Sequence, residues 1–258
     1  LGKPRAQLYW EQAREPGANL SFVGLNRLKT GGEGTMSTYD IRLFLRRVPL
    51  FYSLSESQID MLAIGSARRS FAKGRTIVAE GELSQSLYIL LSGRAKVQRS
   101  DSEGKEVILA VLGAGEFFGE MSLIDDEPRS ASVITLESCD FLAIPKDNFL
   151  SVLNQSTEIC LGVMRGLVKR LRSADRKIET LALLDVYGRV ARVLLDSSEL
   201  IEGNRIVRNR LPRQQIAKMV GASREMVSRV MKGLESEGFI VPIDEGQILL
   251  REKLSLYL

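Results

Sequence analysis

The 258-residue chain contains no histidine. That removes the commonest general base, the usual haem ligand and most zinc sites, so an enzymatic role starts from a poor position. There are two cysteines, Cys139 and Cys160, too few for a four-thiolate iron–sulfur cluster and without metal-type spacing. Two such thiols fit a reducing compartment and ordinary semi-buried packing. No uninterrupted apolar run reaches the roughly 18 residues that a membrane span needs, and no secretory leader is visible. The expectation is a soluble, cytoplasmic protein that is not an enzyme, has no membrane partner and carries no metal, haem or iron–sulfur cluster.

What is present is ample core material: 44% of residues are hydrophobic, enough for two domains. Net charge is only +4 but unevenly placed. Between Arg205 and Lys232 eight basic residues stand against one acidic, Glu225, a local excess of seven. Such a block is either a solvated face or a surface for a polyanion.

Residues 117–133, FFGEMSLIDDEPRSASV, organise the first half. The apolar pair Phe117 and Phe118 reaches Gly119, and residues 120–124 read as one short helical turn with free backbone N–H groups, which favour an anion. Arg129 and Ser130 can return to the same point, and a guanidinium fits two phosphate oxygens at once. Glu120 would repel a phosphate, so its natural partner is a sugar hydroxyl. A ribose carrying a cyclic phosphate meets both demands.

Together these residues resemble the phosphate-binding cassette of the cyclic nucleotide-binding domain. The resemblance implies that the amide of Gly119 and the Arg129–Ser130 pair hold the phosphate while Glu120 takes the ribose 2′-hydroxyl. The nucleotide set is taken as Gly119, Glu120, Met121, Ser122, Arg129, Ser130 and Ala131, with Ala174 and Asp175 added below.

Along the chain, residues 1–38 mix charge, Gly and Pro without periodicity and are expected to be a disordered extension, with Met36 as the native start. From 39 to 66 the pattern is helical, with Pro49 as an interruption and Ser55 as a cap. Residues 67–145 read as short strands at 76–79, 87–91, 95–99, 107–112, 131–135 and 140–144, separated by glycines, and imply a sandwich or barrel closed enough to hide its edges. IVAEGELSQSLYILLSG, residues 77–93, again resembles the cyclic nucleotide-binding β-roll. Residues 146–185 read as one long helix in which Cys160, Met164, Leu167, Leu171, Ala174, Ile178 and Leu181 alternate in steps of four and three, a heptad seam for a homodimer.

Beyond LALLDVYGR (181–189) comes an amphipathic helix, then a helix over 211–220, a turn at Gly221, and a helix capped by Ser223 running to 235. That is the layout of a helix-turn-helix, whose second helix enters the major groove. Met226, Val227, Val230, Met231 and Leu234 are expected to face the core. Arg224, Glu225, Ser228, Arg229 and Lys232 then remain for DNA, with Arg213, Lys218 and Lys232 placed for phosphates. Residues 240–250 read as a hairpin wing turning at 244–246.

SREMVSRVMKGLESEGFI (223–240) and LALLDVYGR are similar to the catabolite activator protein (cyclic AMP receptor) family of bacterial regulators. The implied fold class is α+β: a cyclic nucleotide-binding β-roll over 39–157, a dimerisation helix over 158–185 and a winged helix-turn-helix over 186–258. The resemblance further implies that Arg224, Glu225 and Arg229 read bases, and that a homodimer binds a two-fold symmetric site in double-stranded DNA with half-sites near TGTGA, in partnership with RNA polymerase. Met226 departs from the threonine usual there. The adenine-contacting threonine and serine of the family align with Ala174 and Asp175, which lack those hydroxyls. Cyclic AMP is the effector implied by the family, with cyclic GMP and cyclic di-GMP open because Asp175, Arg172 and Arg176 could also meet guanine.

Overall fold

The computed structural model describes residues 38–83, 85–208, 211–243 and 246–257. The expected leader and Met36 lie outside the described residues. Thr38 already opens α1 (Thr38–Leu45), one residue before the sequence reading placed it. Ser55 caps α2 (Glu56–Ala63) with a full capping box, its hydroxyl accepting from the Gln58 amide while the Gln58 side chain accepts from the Ser55 amide. Pro49–Phe51 forms a 3-10 turn between them.

Eight strands follow: β1 (Ala67–Phe71), β2 (Thr76–Val78), β3 (Ser86–Ser92), β4 (Ala95–Ser100), β5 (Glu106–Leu112), β6 (Phe117–Phe118), β7 (Ser132–Thr135) and β8 (Cys139–Pro145), with α3 (Glu120–Ile124) between β6 and β7. They form two antiparallel sheets, ordered β1-β8-β3-β6 and β2-β7-β4-β5. Among the described residues neither sheet closes by strand pairing, so the expected hiding of edges is not achieved: β5 is an edge whose Val107, Leu109 and Val111 face outward, 37–40% exposed. β1 and β6 escaped the sequence reading because β1, ARRSF, is a mostly exposed edge strand and β6 has two residues.

Alternation along β3 sets up the site. Leu87, Ile89 and Leu91 point to a helical layer, where Phe44, Leu45, Phe51, Ile59, Phe149 and Val163 are all buried. Tyr88 and Leu90 point the other way, into the space between the sheets, against Phe118, Phe141, Val133 and Leu112. The long helix of the sequence reading is two: α4 (Lys146–Gln155) and α5 (Thr157–Leu183). Ser156 breaks the run with an extended backbone (φ −136°, ψ 107°), and its hydroxyl accepts from the Ile159 amide to cap α5. Ile159 and Val163 are buried, whereas the seam residues Met164, Leu171, Ile178 and Leu181 are 49–65% exposed in the single chain.

The chain divides into two compact units at Val168/Lys169, inside α5. In the second, Asp185 caps α6 (Val186–Asp196), accepting from Gly188. A hairpin missed by the sequence reading, β9 (Glu199–Ile201) and β10 (Asn204–Val207), turns at Glu202 and Gly203, both with positive φ. It joins β11 (Ile240–Pro242) and β12 (Ile248–Leu250) in one sheet, ordered β11-β12-β10-β9, so the expected wing hairpin is extended. Residues 244–245 of its turn lie outside the described residues. Between these strands stand α7 (Arg213–Val220), which starts only after Pro212, and α8 (Arg224–Ser236). Gly221 takes the left-handed turn (φ 65°), and Ser223 accepts from the Met226 amide as the expected cap.

Candidate functional site

The cradle lies in the first unit. Gly119 sits at φ 93°, a left-handed backbone that turns the chain from β6 into α3. Glycine is required there twice over: a Cβ would overlap Nη1 of Arg129 and come within 2.8 Å of its Cζ. The Arg129 guanidinium thus lies directly against Gly119.

Arg129 is only 5% exposed. Its Nη2 donates to the Ser86 carbonyl at 2.8 Å, and its Cζ lies 5.9 Å from the centroid of the Tyr88 ring, which stacks on Phe118. Its backbone is pinned too, Arg129 N donating to the Glu82 carbonyl and Gly81 N to the Arg129 carbonyl. Nη1 is buried and has no hydrogen-bond partner. Burial draws the guanidinium below its ordinary pKa, opposed by the charges of Tyr88, Glu120 and Glu82. A buried cation with one donor edge unmet is a site for an anionic oxygen.

Glu120 is fully buried with its charge beside Arg129, and Ser122 is 6% exposed. Met121 points outward at 46% exposed. Ser130 is exposed beside Arg129, and Ala131 is buried. Ala174 and Asp175 lie in the second unit, exposed on α5. The residues that the sequence reading missed are Ser86 and Tyr88, which fix Arg129 from behind. Their signal was faint: a carbonyl acceptor leaves no trace in side-chain identity, and Tyr88 reads as one more inward strand residue.

Gly119→Ala is expected to lower the free energy of unfolding by about 1–3 kcal/mol, from left-handed backbone strain and the displaced guanidinium. A urea titration of the variant beside the parent chain measures it, and an unchanged midpoint would contradict the close approach.

The second candidate surface is α8. Val227, Val230, Met231 and Leu234 are buried at helical spacing, as expected. Met226 is not: it is 36% exposed, one residue off that stripe in the first turn, and so joins the outer face. Arg224, Glu225, Arg229 and Lys232 are exposed, Ser228 is half-buried, and all five line one open concavity. None of them takes part in an ion pair among the described residues. Arg213 and Lys218 are half-buried on α7, and the capping Ser223 is exposed at the head of α8. Arg189 of α6 donates to the Val220 carbonyl at 3.0 Å, and a Cβ on Gly233 would lie 2.8 Å from the Tyr187 hydroxyl, so α6, α7 and α8 interlock closely.

Among the described residues no helix is long and apolar enough to cross a membrane, and no cluster of His, Cys, Asp or Glu could hold a metal ion. Residues 68–156 match the cyclic nucleotide-binding domain family, and residues 188–257 the Crp-like helix-turn-helix domain family. The cyclic AMP receptor protein of Thermus thermophilus is 34% identical over 79% of this chain and 93% of its own. The cAMP-activated global transcriptional regulator CRP of Haemophilus influenzae is 37% identical over 64% of this chain and 75% of its own. Among solved structures, the c-di-GMP responsive global regulator CLP of Xanthomonas campestris aligns with a TM-score of 0.65 and 28% identity, covering 76% of this chain and 99% of that one. With both halves matched in order, the chain belongs to the cyclic AMP receptor protein family, cyclic nucleotide-responsive bacterial transcription regulators that bind DNA through a helix-turn-helix and are not enzymes.

Proposed function

We propose that this protein works as a homodimer in which a cyclic nucleotide, seated on Gly119, Glu120, Arg129 and Ser130, controls how two α8 helices address a two-fold symmetric site in promoter DNA. The observation that carries the reading is Arg129: a buried guanidinium held from behind by Ser86 and Tyr88, with Nη1 unmet and facing Gly119. Cyclic AMP is the proposed effector, following the names of the Thermus and Haemophilus relatives. The division of labour follows the sequence: nucleotide binding over 39–157, pairing over 158–185, DNA reading over 186–258. Arg224, Glu225 and Arg229 read base edges, with Ser228 beside them, while Arg213, Lys218, Ser223 and Lys232 meet the backbone. The setting is the cytoplasm, and RNA polymerase is the machinery finally affected.

The exposed seam supports pairing, because a stripe of Met164, Leu171, Ile178 and Leu181 on one long helix buries well against its own copy. Leu171→Glu is expected to shift the protein from dimer to monomer in sedimentation velocity and to weaken operator binding at least a hundredfold. A dimer that survives this change would move the interface elsewhere. Switching is a population shift: taking occupancy from one per cent active to ninety-nine requires the nucleotide to prefer the active state by about 5.5 kcal/mol.

The decisive measurement is fluorescence anisotropy of the full chain on a duplex with inverted TGTGA half-sites, with cyclic AMP, cyclic GMP, cyclic di-GMP or no nucleotide. Cyclic AMP is expected to tighten binding more than tenfold, and affinity to fall steeply as salt is raised. A stronger response to either guanine nucleotide would reassign the effector, bringing Asp175, Arg172 and Arg176 forward as its readers. Indifference to all three would end the cradle reading.

A further inference from the structure

Met226 is the third residue of α8 and is 36% exposed, and no other large apolar side chain of α7 or α8 is as open to solvent. It belongs neither to the buried cluster of this unit nor to the partly buried apolar residues packed against that cluster. Core packing therefore does not explain a methionine here. Local helix chemistry does not explain it either. Met226 stands three residues after the Ser223 cap, and its amide donates to the Ser223 hydroxyl at 3.1 Å. A glutamate or glutamine at this position would reach back to the cap, as Gln58 does to Ser55 at the head of α2. A thioether cannot.

Its neighbours define where it points. With about 100° between successive residues, Met226 lies about 60° round α8 from exposed Arg229 and about 100° from both exposed Glu225 and buried Val227. It occupies the shoulder of the reading face, not the centre. A helix about 10–12 Å across nearly fills a major groove about 12 Å wide, so a shoulder residue in the first turn meets a wall of the groove. Along the major-groove edge of a base pair the thymine methyl is the group nearest that wall, and it is the one apolar group the four bases present there.

We infer that Met226 is a specificity-determining residue whose side chain packs on a thymine 5-methyl in each half-site of the operator. This rests on α8 being the base-reading helix and adds to it. Arg224, Glu225 and Arg229 distinguish bases by donors and acceptors, whereas Met226 separates thymine from cytosine by a methyl group. A flexible, polarisable thioether suits a contact of that size.

The test uses the full chain and duplexes with inverted TGTGA half-sites in which thymine is replaced by deoxyuridine. That change removes the methyl and leaves every hydrogen-bonding group in place. Each thymine, on either strand, is replaced in turn and symmetrically in both halves. Binding is measured by anisotropy, with whichever nucleotide tightens it most, on the parent chain, Met226→Gln, Met226→Leu and Arg229→Ala. In the parent, one such replacement is expected to weaken binding roughly fifteenfold, about fourfold from each half-site. In Met226→Gln, which keeps side-chain length and helix propensity, that penalty should fall to near one. Met226→Leu, still apolar, should retain most of it. Met226→Ala repeats the measurement should the glutamine variant fold poorly. Parent binding indifferent to every replacement, or penalties unchanged in Met226→Gln, would overturn the inference and leave the side chain against sugar or phosphate. Arg229→Ala separates this result from the reading beneath it. If that variant binds every duplex as the parent does, α8 is not the base reader and the inference falls with it. If it weakens binding while deoxyuridine has no effect, only the role of Met226 is overturned.

Discussion

Arg129→Ala is expected to abolish nucleotide-dependent operator binding while sparing the fold. The guanidinium is nearly fully buried and Nη1 has no partner within the protein, so removing it deprives an incoming phosphate of its main charge-assisted donor. Truncating one side of a buried charged pair costs about 2–5 kcal/mol, a loss of nucleotide affinity of roughly thirtyfold or more. The nucleotide-free fold loses one hydrogen bond to the Ser86 carbonyl, a ring contact with Tyr88 and the attraction of Glu120 and Glu82, set against relief from burying a charge. Thermal melts separate the two effects. In the parent, nucleotide at a hundred times its Kd should add about 2.7 kcal/mol of stability, whereas the variant should melt alike with and without it. A variant that still tightens on DNA at parental nucleotide concentrations would show that the anion sits elsewhere.

The second large effect is expected on α8, where Arg229→Ala and Lys232→Ala should differ in kind. Both are exposed on the face opposite Val227, Val230, Met231 and Leu234. The early turns of a reading helix meet base edges, so Arg229, in the second turn, is the proposed bidentate reader of guanine. Its loss should cost about 1–3 kcal/mol on the preferred operator, yet almost nothing on operators already altered at that base pair. Lys232 lies further along and is the proposed phosphate contact. Its loss should weaken every duplex alike and reduce the salt slope by about one. Binding of each variant to a panel of single-base operator changes, at two salt concentrations, distinguishes the outcomes. The reverse pattern would mean that the two residues have exchanged roles.

Much of this was legible in the chain because short-range signals carry it. The Ser55 cap, the tight turn at Gly221 and the Ser223 cap depend on neighbours within four residues, and each stands as read; the reciprocal bond from Gln58 to Ser55 was not read. The facing of Gly119 and Arg129 was legible for a different reason: ten residues and a single helical turn leave the guanidinium few places to go. What escaped needs distant partners. The support of Arg129 by Ser86 comes from 43 residues away and exists only because two sheets face each other. β1 carries two arginines and a serine on a largely exposed edge, so no hydrophobic alternation marked it. The break at Ser156 was hidden because a serine within a helical pattern is ambiguous until its hydroxyl is seen bonding forward. Met226 was misassigned because periodicity tolerates one extra apolar residue beside a stripe that is already complete.

The joint between α5 and α6 has only two residues outside helix, Leu184 and Asp185. On its upstream side the Leu184 amide still bonds back to Thr180, and on its downstream side Asp185 is committed to Gly188. Beyond it, Arg189 grips the Val220 carbonyl and Tyr187 abuts Gly233, so α6 and the reading pair travel as one body. Across the joint, Lys177 and Arg176 of α5 attract Asp196 at the far end of α6, so the reading head is tied to the helix before it by charge as well as by the chain. Re-aiming the head relative to this stretch of α5 would have to part those charges, so the two move together and a change in the seam is passed on undiminished.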